Sequence, residues 1–179
     1  VQREDAIGGS NVANQPVFKV DKLAHVCLVV EDIDKMVEAY WRDFGIGPWR
    51  IVTMDSATMK EATYRGKPAQ FRMRFALTDV GGFTLEMVQH LGGQTIYKDF
   101  QDKVGEGVHH LGLVVDNLGE AVAKMEAAGF KPIMTAVGYG KSRDGEFAYM
   151  GTEDELGTIY ELVKLPTEKI DPDKFYPAQ

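Results

Sequence analysis

The sequence predicts an α+β fold made of two copies of one unit, each a strand, a helix and two or three further strands. Three observations carry this prediction. Leu23-Ala-His25-Val-Cys-Leu-Val-Val-Glu-Asp32 aligns without a gap on Val108-His-His110-Leu-Gly-Leu-Val-Val-Asp-Asn117, so that His25 falls on His110 and, further on, Val37 on Val122. Phe83-Thr-Leu-Glu86-Met-Val-Gln89 echoes Thr158-Ile-Tyr-Glu161-Leu-Val-Lys164, with Asp79 on Asp154 and Gly82 on Gly157. Within each copy the apolar spacing also changes from two to about 3.6 residues and back again.

Each element follows from its own residues. In the opening strand, Val26, Leu28 and Val30 alternate with His25, Cys27 and Val29. Asp32 is a good N-cap for a helix that places Ile33, Met36, Val37, Tyr40, Trp41 and Phe44 on one face, and Gly45 ends it. The stretch Met54 to Gln70 is polar and irregular and reads as a loop or lid. A strand then alternates Phe71, Met73, Phe75 and Leu77 with Arg72, Arg74, Ala76 and Thr78, and after an Asp-Val-Gly-Gly turn another runs from Phe83 to about His90. In the second copy Asn117 caps a helix with Leu118, Ala121, Val122 and Met125 as its stripe, ended at Gly129. Strands follow over Glu146 to Met150 and Thr158 to Leu165, separated by a turn. The expected organisation is an N-terminal extension over 1–20, a first module over 21–90, a connector over 91–106 with a short helix near Thr95 to Lys103, a second module over 107–165, and a tail over 166–179.

Composition narrows the function. Twenty Lys and Arg against twenty-seven Asp and Glu leave a net charge of −7 over 179 residues, which argues against a nucleic-acid partner. No apolar stretch approaches the roughly 18 residues of a membrane span, and the start of the chain shows no signal-peptide pattern. The single cysteine, Cys27, rules out an internal disulfide framework and reads as a small buried apolar residue, consistent with a reducing cytoplasmic location. The Gly-rich stretch around Tyr139 lacks the lysine–hydroxyl ending of a phosphate loop.

Four residues stand at matched places of the repeat: His25, Glu86, His110 and Glu161. Each His is on the first strand of its unit and each Glu on the last. If the two sheets curve into one cavity, two imidazoles and two carboxylates converge there, a set that suits one divalent ion, with Co, Ni, Zn or Mn ahead of Fe. The ion would also neutralise two carboxylates that are costly to bury. Arg72 and Arg74 read either as cavity anchors for an anionic group or as surface charges. His90 reads either as a rim acid/base or as a solvated strand end, and Phe147 and Tyr149 either as a pocket wall or as core. His109 precedes the matched His and by alternation faces the helix side.

This double pattern resembles the vicinal oxygen chelate superfamily of glyoxalases, bleomycin-resistance proteins and dioxygenases, over roughly residues 21–165. Gly105-Glu-Gly-Val-His-His110-Leu-Gly-Leu-Val-Val-Asp-Asn117 is especially similar to the methylmalonyl-CoA epimerase branch. The resemblance implies tandem βαβββ modules forming a cupped, barrel-like mixed sheet with helices outside and the metal between the modules. It implies that His25, Glu86, His110 and Glu161 are the ligands and that Glu161 and Glu86 are the candidate catalytic bases. Those epimerases commonly carry a carboxamide where Glu86 stands, and a glutamate base on the central strand where this sequence has Arg72 and Arg74. The expected activity is an isomerase or epimerase that moves a proton at the carbon next to a metal-bound carbonyl, on a small carbonyl compound that is anionic or a thioester. The alternatives are a glyoxalase I-type lyase, an Fe(II) ring-cleaving dioxygenase, and a non-enzymatic small-molecule-binding protein. A homodimer is expected, with no nucleic acid and no membrane.

Overall fold

A computed structural model describes residues 16–20 and 23–178. Most of the expected N-terminal extension, and the start of the first module at residue 21, lie outside the described residues. Strand β1, Leu23–Val29, leads through Asp32 into helix α1, Ile33–Phe44. Asp32 caps that helix by accepting the backbone N–H of Lys35 at 3.2 Å, a contact worth about 1 kcal/mol. Gly45 closes the helix in the left-handed region at φ 66°, where a side chain would be strained. Strands β2, Trp49–Asp55, β3, Glu61–Tyr64, and β4, Lys67–Pro68, follow. Then come β5, Phe71–Val80, β6, Phe83–Gly93, and the connecting helix α2, Ile96–Lys103, capped by Thr95.

The second half repeats the plan. Strand β7, Gly107–Val114, is followed by helix α3, Leu118–Ala127, which Asn117 caps by accepting the Glu120 N–H at 3.1 Å. Strands β8, Pro132–Tyr139, and β9, Gly145–Met150, precede a one-turn helix α4, Glu153–Leu156. Strand β10, Ile159–Lys164, and a short β11, Lys174–Tyr176, complete the chain.

All eleven strands join one mixed, open sheet in the order β11-β2-β5-β6-β1-β7-β10-β9-β8-β3-β4. The halves are mirror-ordered about the antiparallel pair β1 and β7. On either side of that seam the next strand is a parallel partner, β6 beside β1 and β10 beside β7. Period-two burial gives each strand one inner and one outer face. The outer faces carry the helices. Ile33 and Val37 of α1 pack with Trp49, Ile51, Ala76 and Met87, while Leu118, Ala121 and Met125 of α3 pack with Ala148, Met150 and Leu162. The inner face holds Cys27, Val52, Met73, Phe75, Val88, Phe147 and Tyr149 in a third cluster.

Three segments depart from the sequence reading. Residues 54–70 are not a lid: Arg65 and Gly66 make a tight turn between β3 and β4, and β3 pairs antiparallel with β8 of the other half. Their polarity reflects a position at the end of the sheet, half in water. The turn expected after Met150 contains α4. The tail does not stop at Pro166, because Lys174, Phe175 and Tyr176 pair with Ile51, Arg50 and Trp49.

Candidate metal centre

The strand register explains how four distant residues meet. Inward alternation along β1 points His25 and Cys27 to the concave side. Two rows then run across the seam. In one, Glu161 stands beside Gly112 and Gly112 beside His25. In the other, His110 stands beside Cys27 and Cys27 beside Glu86. Each row therefore sets a His and a Glu on either side of a small residue, and the two rows bring all four heads together.

His25 Nε2 lies 2.8 Å from Glu161 Oε2 and 3.0 Å from His110 Nε2. His110 Nε2 is 3.5 Å from Glu161 Oε2, and Glu86 Oε1 is 3.9 Å from both imidazoles. The two carboxylates and two imidazoles are 0 to 8% exposed. His25, Glu86 and His110 by themselves offer ligand atoms within 4.8 Å of one another. Two observations show that these residues fit a divalent ion. Ligand atoms held at 2.0–2.2 Å from a common ion stand about 3–3.5 Å apart, close to the shorter separations here. Glu161 Oε2 is buried without a well-aligned hydrogen-bond donor, and the two Nε2 atoms face each other at 3.0 Å, where one imidazole at most can donate. A cation in their midst satisfies every one of these atoms.

Charge follows the geometry. Burial pulls the His25 pKa down, but the Glu86 and Glu161 carboxylates outweigh it and raise it to about 9. Burial pushes the Glu161 carboxyl up, yet His25 and His110 pull it well below the ordinary carboxylate range. Without metal, a proton on His25 thus takes part of the role of a cation. Because the folded value lies above the ordinary 6.5, this contribution to stability is complete below pH 6.5 and is lost as pH rises through 9. Melting curves of chelator-treated protein should show Tm falling across that interval. A flat Tm would show that His25 holds no such proton.

His110 is completely buried, and its surroundings correct one reading of the sequence. The β1–β7 register slips by one residue, Cys27 facing His110 but Leu28 facing Val108, so His109 is the extra residue of a β-bulge. Alternation fails there, and His109 and His110 are both buried neighbours. His109 Nδ1 lies 2.9 Å from His110 Nδ1, leaving His110 Nε2 turned toward His25. Burial above all, with the neighbouring His110 imidazole, holds the His109 pKa down at about 3, so His109 is neutral. A neutral neighbour on Nδ1 fixes the tautomer and orientation of the imidazole it touches. Tyr97 of α2 packs on both rings and shares a hydroxyl hydrogen bond with Tyr149.

His25, Glu86 and Glu161 open into a cavity of about 490 Å³, with His110 fully buried behind them. Phe147 and Tyr149, 4% and 2% exposed, line it as well as belonging to the inner core. Arg72, Arg74 and His90 are not brought to it. On β5 the residues turned inward are Phe71, Met73 and Phe75, so the intervening arginines face out. Arg74 forms a two-pronged ion pair with Asp34 of α1, at 2.6 and 3.1 Å, and Arg72 is exposed. His90 Nδ1 is 3.0 Å from Thr95 Oγ1, at the start of α2. The arginine that does line the cavity is Arg50, which shares its strand face with Val52 and Met54. The alternation of Arg50 with Trp49 and Ile51 was the signal for it.

Comparison with known proteins places this geometry. A family model described as Glyoxalase/Bleomycin resistance protein/Dioxygenase superfamily matches residues 24–149, more than two thirds of the chain. No curated protein matches in sequence. Solved structures share the fold at low identity. A hypothetical protein from Bacillus halodurans C-125 is 17% identical at a TM-score of 0.61, covering 84% of this chain and 98% of its own. Methylmalonyl-CoA epimerase from Mycobacterium tuberculosis is 21% identical at 0.60, covering 82% and 90%. A variant methylmalonyl-CoA epimerase from Streptomyces coelicolor, in complex with 2-nitronate-propionyl-CoA, is 17% identical at 0.59, covering 85% and 99%.

Proposed function

The chain belongs to the glyoxalase/bleomycin resistance protein/dioxygenase superfamily, and from that premise we propose that it is a divalent-metal-dependent isomerase or epimerase that moves a proton at the carbon next to a carbonyl. In this reading His25, Glu86, His110 and Glu161 hold one ion, with Co, Ni, Zn or Mn ahead of Fe. The single observation that carries it is the meeting of two imidazoles and two carboxylates from both halves, with Glu161 Oε2 buried and short of a donor.

When bound, the ion supplies Lewis acidity that offsets the negative charge developing on a carbonyl oxygen as the neighbouring carbon loses its proton. The protein supplies the rest. Glu161, between the two imidazoles, is the first candidate for the base, and its proximity to the ion site positions it to take the proton. Glu86 arrives from β6, on the other side of the seam from β10, so the two carboxylates approach from different sides. Inversion of the carbon would need a proton given to the opposite face by Glu86 in its carboxylic acid form, with Glu161 keeping the proton it took and both groups reset by exchange with solvent. His109 keeps His110 oriented, and Phe147 and Tyr149 exclude water from one wall.

The substrate is a small carbonyl compound, anionic or a thioester; the CoA compound held by the Streptomyces neighbour supports the thioester form. The proposal extends to a cytoplasmic homodimer, supported by the prevalence of two-fold symmetry among soluble oligomers. A second reading rests on one fact: His25, Glu86 and His110 alone make a two-His, one-carboxylate set, the ligand pattern of Fe(II) dioxygenases. Glu161 separates the two.

Elemental mass spectrometry on protein purified anaerobically without chelator decides between them. Stoichiometric Co, Ni, Zn or Mn, followed by deuterium exchange into 2-substituted carbonyl compounds, is the expected result. Stoichiometric Fe(II) brings the dioxygenase forward. Exchange accompanied by redox isomerisation of a thiol adduct would assign the glyoxalase-type reaction. No metal bound, and none taken up on titration, would leave a small-molecule-binding protein.

A further inference from the structure

The cavity contains a cation that the metal chemistry does not use. Arg50 is half-buried, and its guanidinium donates one hydrogen bond, from Nη1 to the Ile170 carbonyl at 3.2 Å. Among the described residues no carboxylate lies within ion-pair distance of it. Burial lowers its pKa, and the more distant Glu86 and Asp79 charges only partly offset that. A guanidinium has five N–H donors, so most of this fork points at nothing in the protein. A partly dehydrated guanidinium with no carboxylate in direct contact is unfavourable, and a ligand carboxylate relieves it.

Its position sets the kind of ligand. Arg50 is in register with Leu77, and Leu77 with Glu86. All three line the same cavity, on three adjacent strands. Neighbouring strands are 4.7–4.9 Å apart, so the Arg50 and Glu86 backbones are separated by about 10 Å. Both side chains reach into the same cavity, so a ligand spanning them is a short one. Val52, Phe75 and Leu77 give the nearby wall an apolar part, and Thr78, Asp79 and Thr84 line the same cavity.

We propose that Arg50 binds a carboxylate carried by the substrate, a few carbons from the carbonyl that meets the metal centre, so that the substrate is a short carboxylic acid held at both ends. This deepens the proposed function and rests on it for the carbonyl end only. The strand β11 and the Arg50–Ile170 bond fold the tail across the same end of the cavity, with Lys169 at its mouth adding a second positive charge.

The test compares 2-oxoglutarate with 2-oxopentanoate on the Co(II)-loaded protein, by calorimetry and by the change in the cobalt absorption spectrum. The two compounds differ only in the distal carboxylate. We expect 2-oxoglutarate to bind at least tenfold more tightly. R50M should remove that ratio while leaving 2-oxopentanoate affinity within twofold, and R50K, which keeps the charge without the fork, should retain part of it. Equal affinities in the wild type, or a ratio that survives in R50M, would overturn the proposal while leaving the metal reading standing. If cobalt does not bind, the metal reading fails by itself, and the carboxylate end is judged on the metal-free protein. There pentanoate, but not pentanol, is expected to broaden on titration by NMR, in an Arg50-dependent way, and its failure to do so sinks the proposal.

Discussion

A Gly112→Ala variant is expected to lose the capacity to hold a divalent ion at the His25 cluster while remaining folded. Gly112 stands beside His25 across the seam and beside Glu161 on its other side. A Cβ there would lie 2.2 Å from His25 Cε1 and 2.4 Å from Nε2, far inside van der Waals contact. One methyl group therefore occupies the space through which the imidazole reaches Glu161. The ring must swing away, because the backbone at Gly112 is fixed by ladders on both sides. Overpacking of this kind costs about 1–3 kcal/mol, which a domain of this size survives. Displacing a ligand by even 1 Å removes it from an ion's shell. The expected measurements are a Tm lowered by a few degrees in chelator, and metal affinity reduced by more than about 100-fold, since the loss of mere supporting contacts already costs 10–100-fold. Wild-type affinity in this variant would place the ion somewhere other than beside His25.

Glu161→Gln is the second large effect, and it separates ligand from base. The amide oxygen can still ligate, but it brings no charge and accepts no proton. Two imidazoles depend on Glu161, at 2.8 and 3.5 Å, whereas Glu86 stands 3.9 Å from each. Glu161→Gln should therefore weaken metal binding by more than about 100-fold and abolish deuterium exchange at the face of the carbon it serves, even at saturating metal. Glu86→Gln, with its looser contacts, should keep the ion and lose exchange only at one face of the carbon. If Glu161→Gln exchanges normally when loaded, the base is another group, and Glu86 becomes the first candidate.

The residues that were legible in the sequence are those whose signal repeats. His25 and His110, and Glu86 and Glu161, occur at matched offsets because each half builds the same strand pair, and matched offsets survive without any knowledge of pairing. What was hidden depended on register. His109 looked helix-facing because alternation was carried through a position where β7 holds one residue more than β1. Alternation alone leaves open whether the Arg72 and Arg74 face of β5 borders the cavity or water; the structure turns it outward, with Arg74 paired to Asp34 and Arg72 exposed. Arg50 went unnoticed beside two buried apolar neighbours. Residues 54–70 and the tail form strands only because β8 and β2 offer them partners, and polar composition says nothing about a partner far away in sequence.

The sheet's two ends bear on how copies of this chain can associate. Lys67–Pro68 on one side and Lys174–Tyr176 on the other are the outermost strands, of two and three residues. Proline offers no N–H for a ladder, and each strand carries a lysine whose charge opposes an incoming chain. An eleven-stranded open sheet thus presents almost no template for continuation by a neighbour. Among the described residues, both borders thus disfavour strand-by-strand growth and leave side chains on a face as the better means of symmetric pairing.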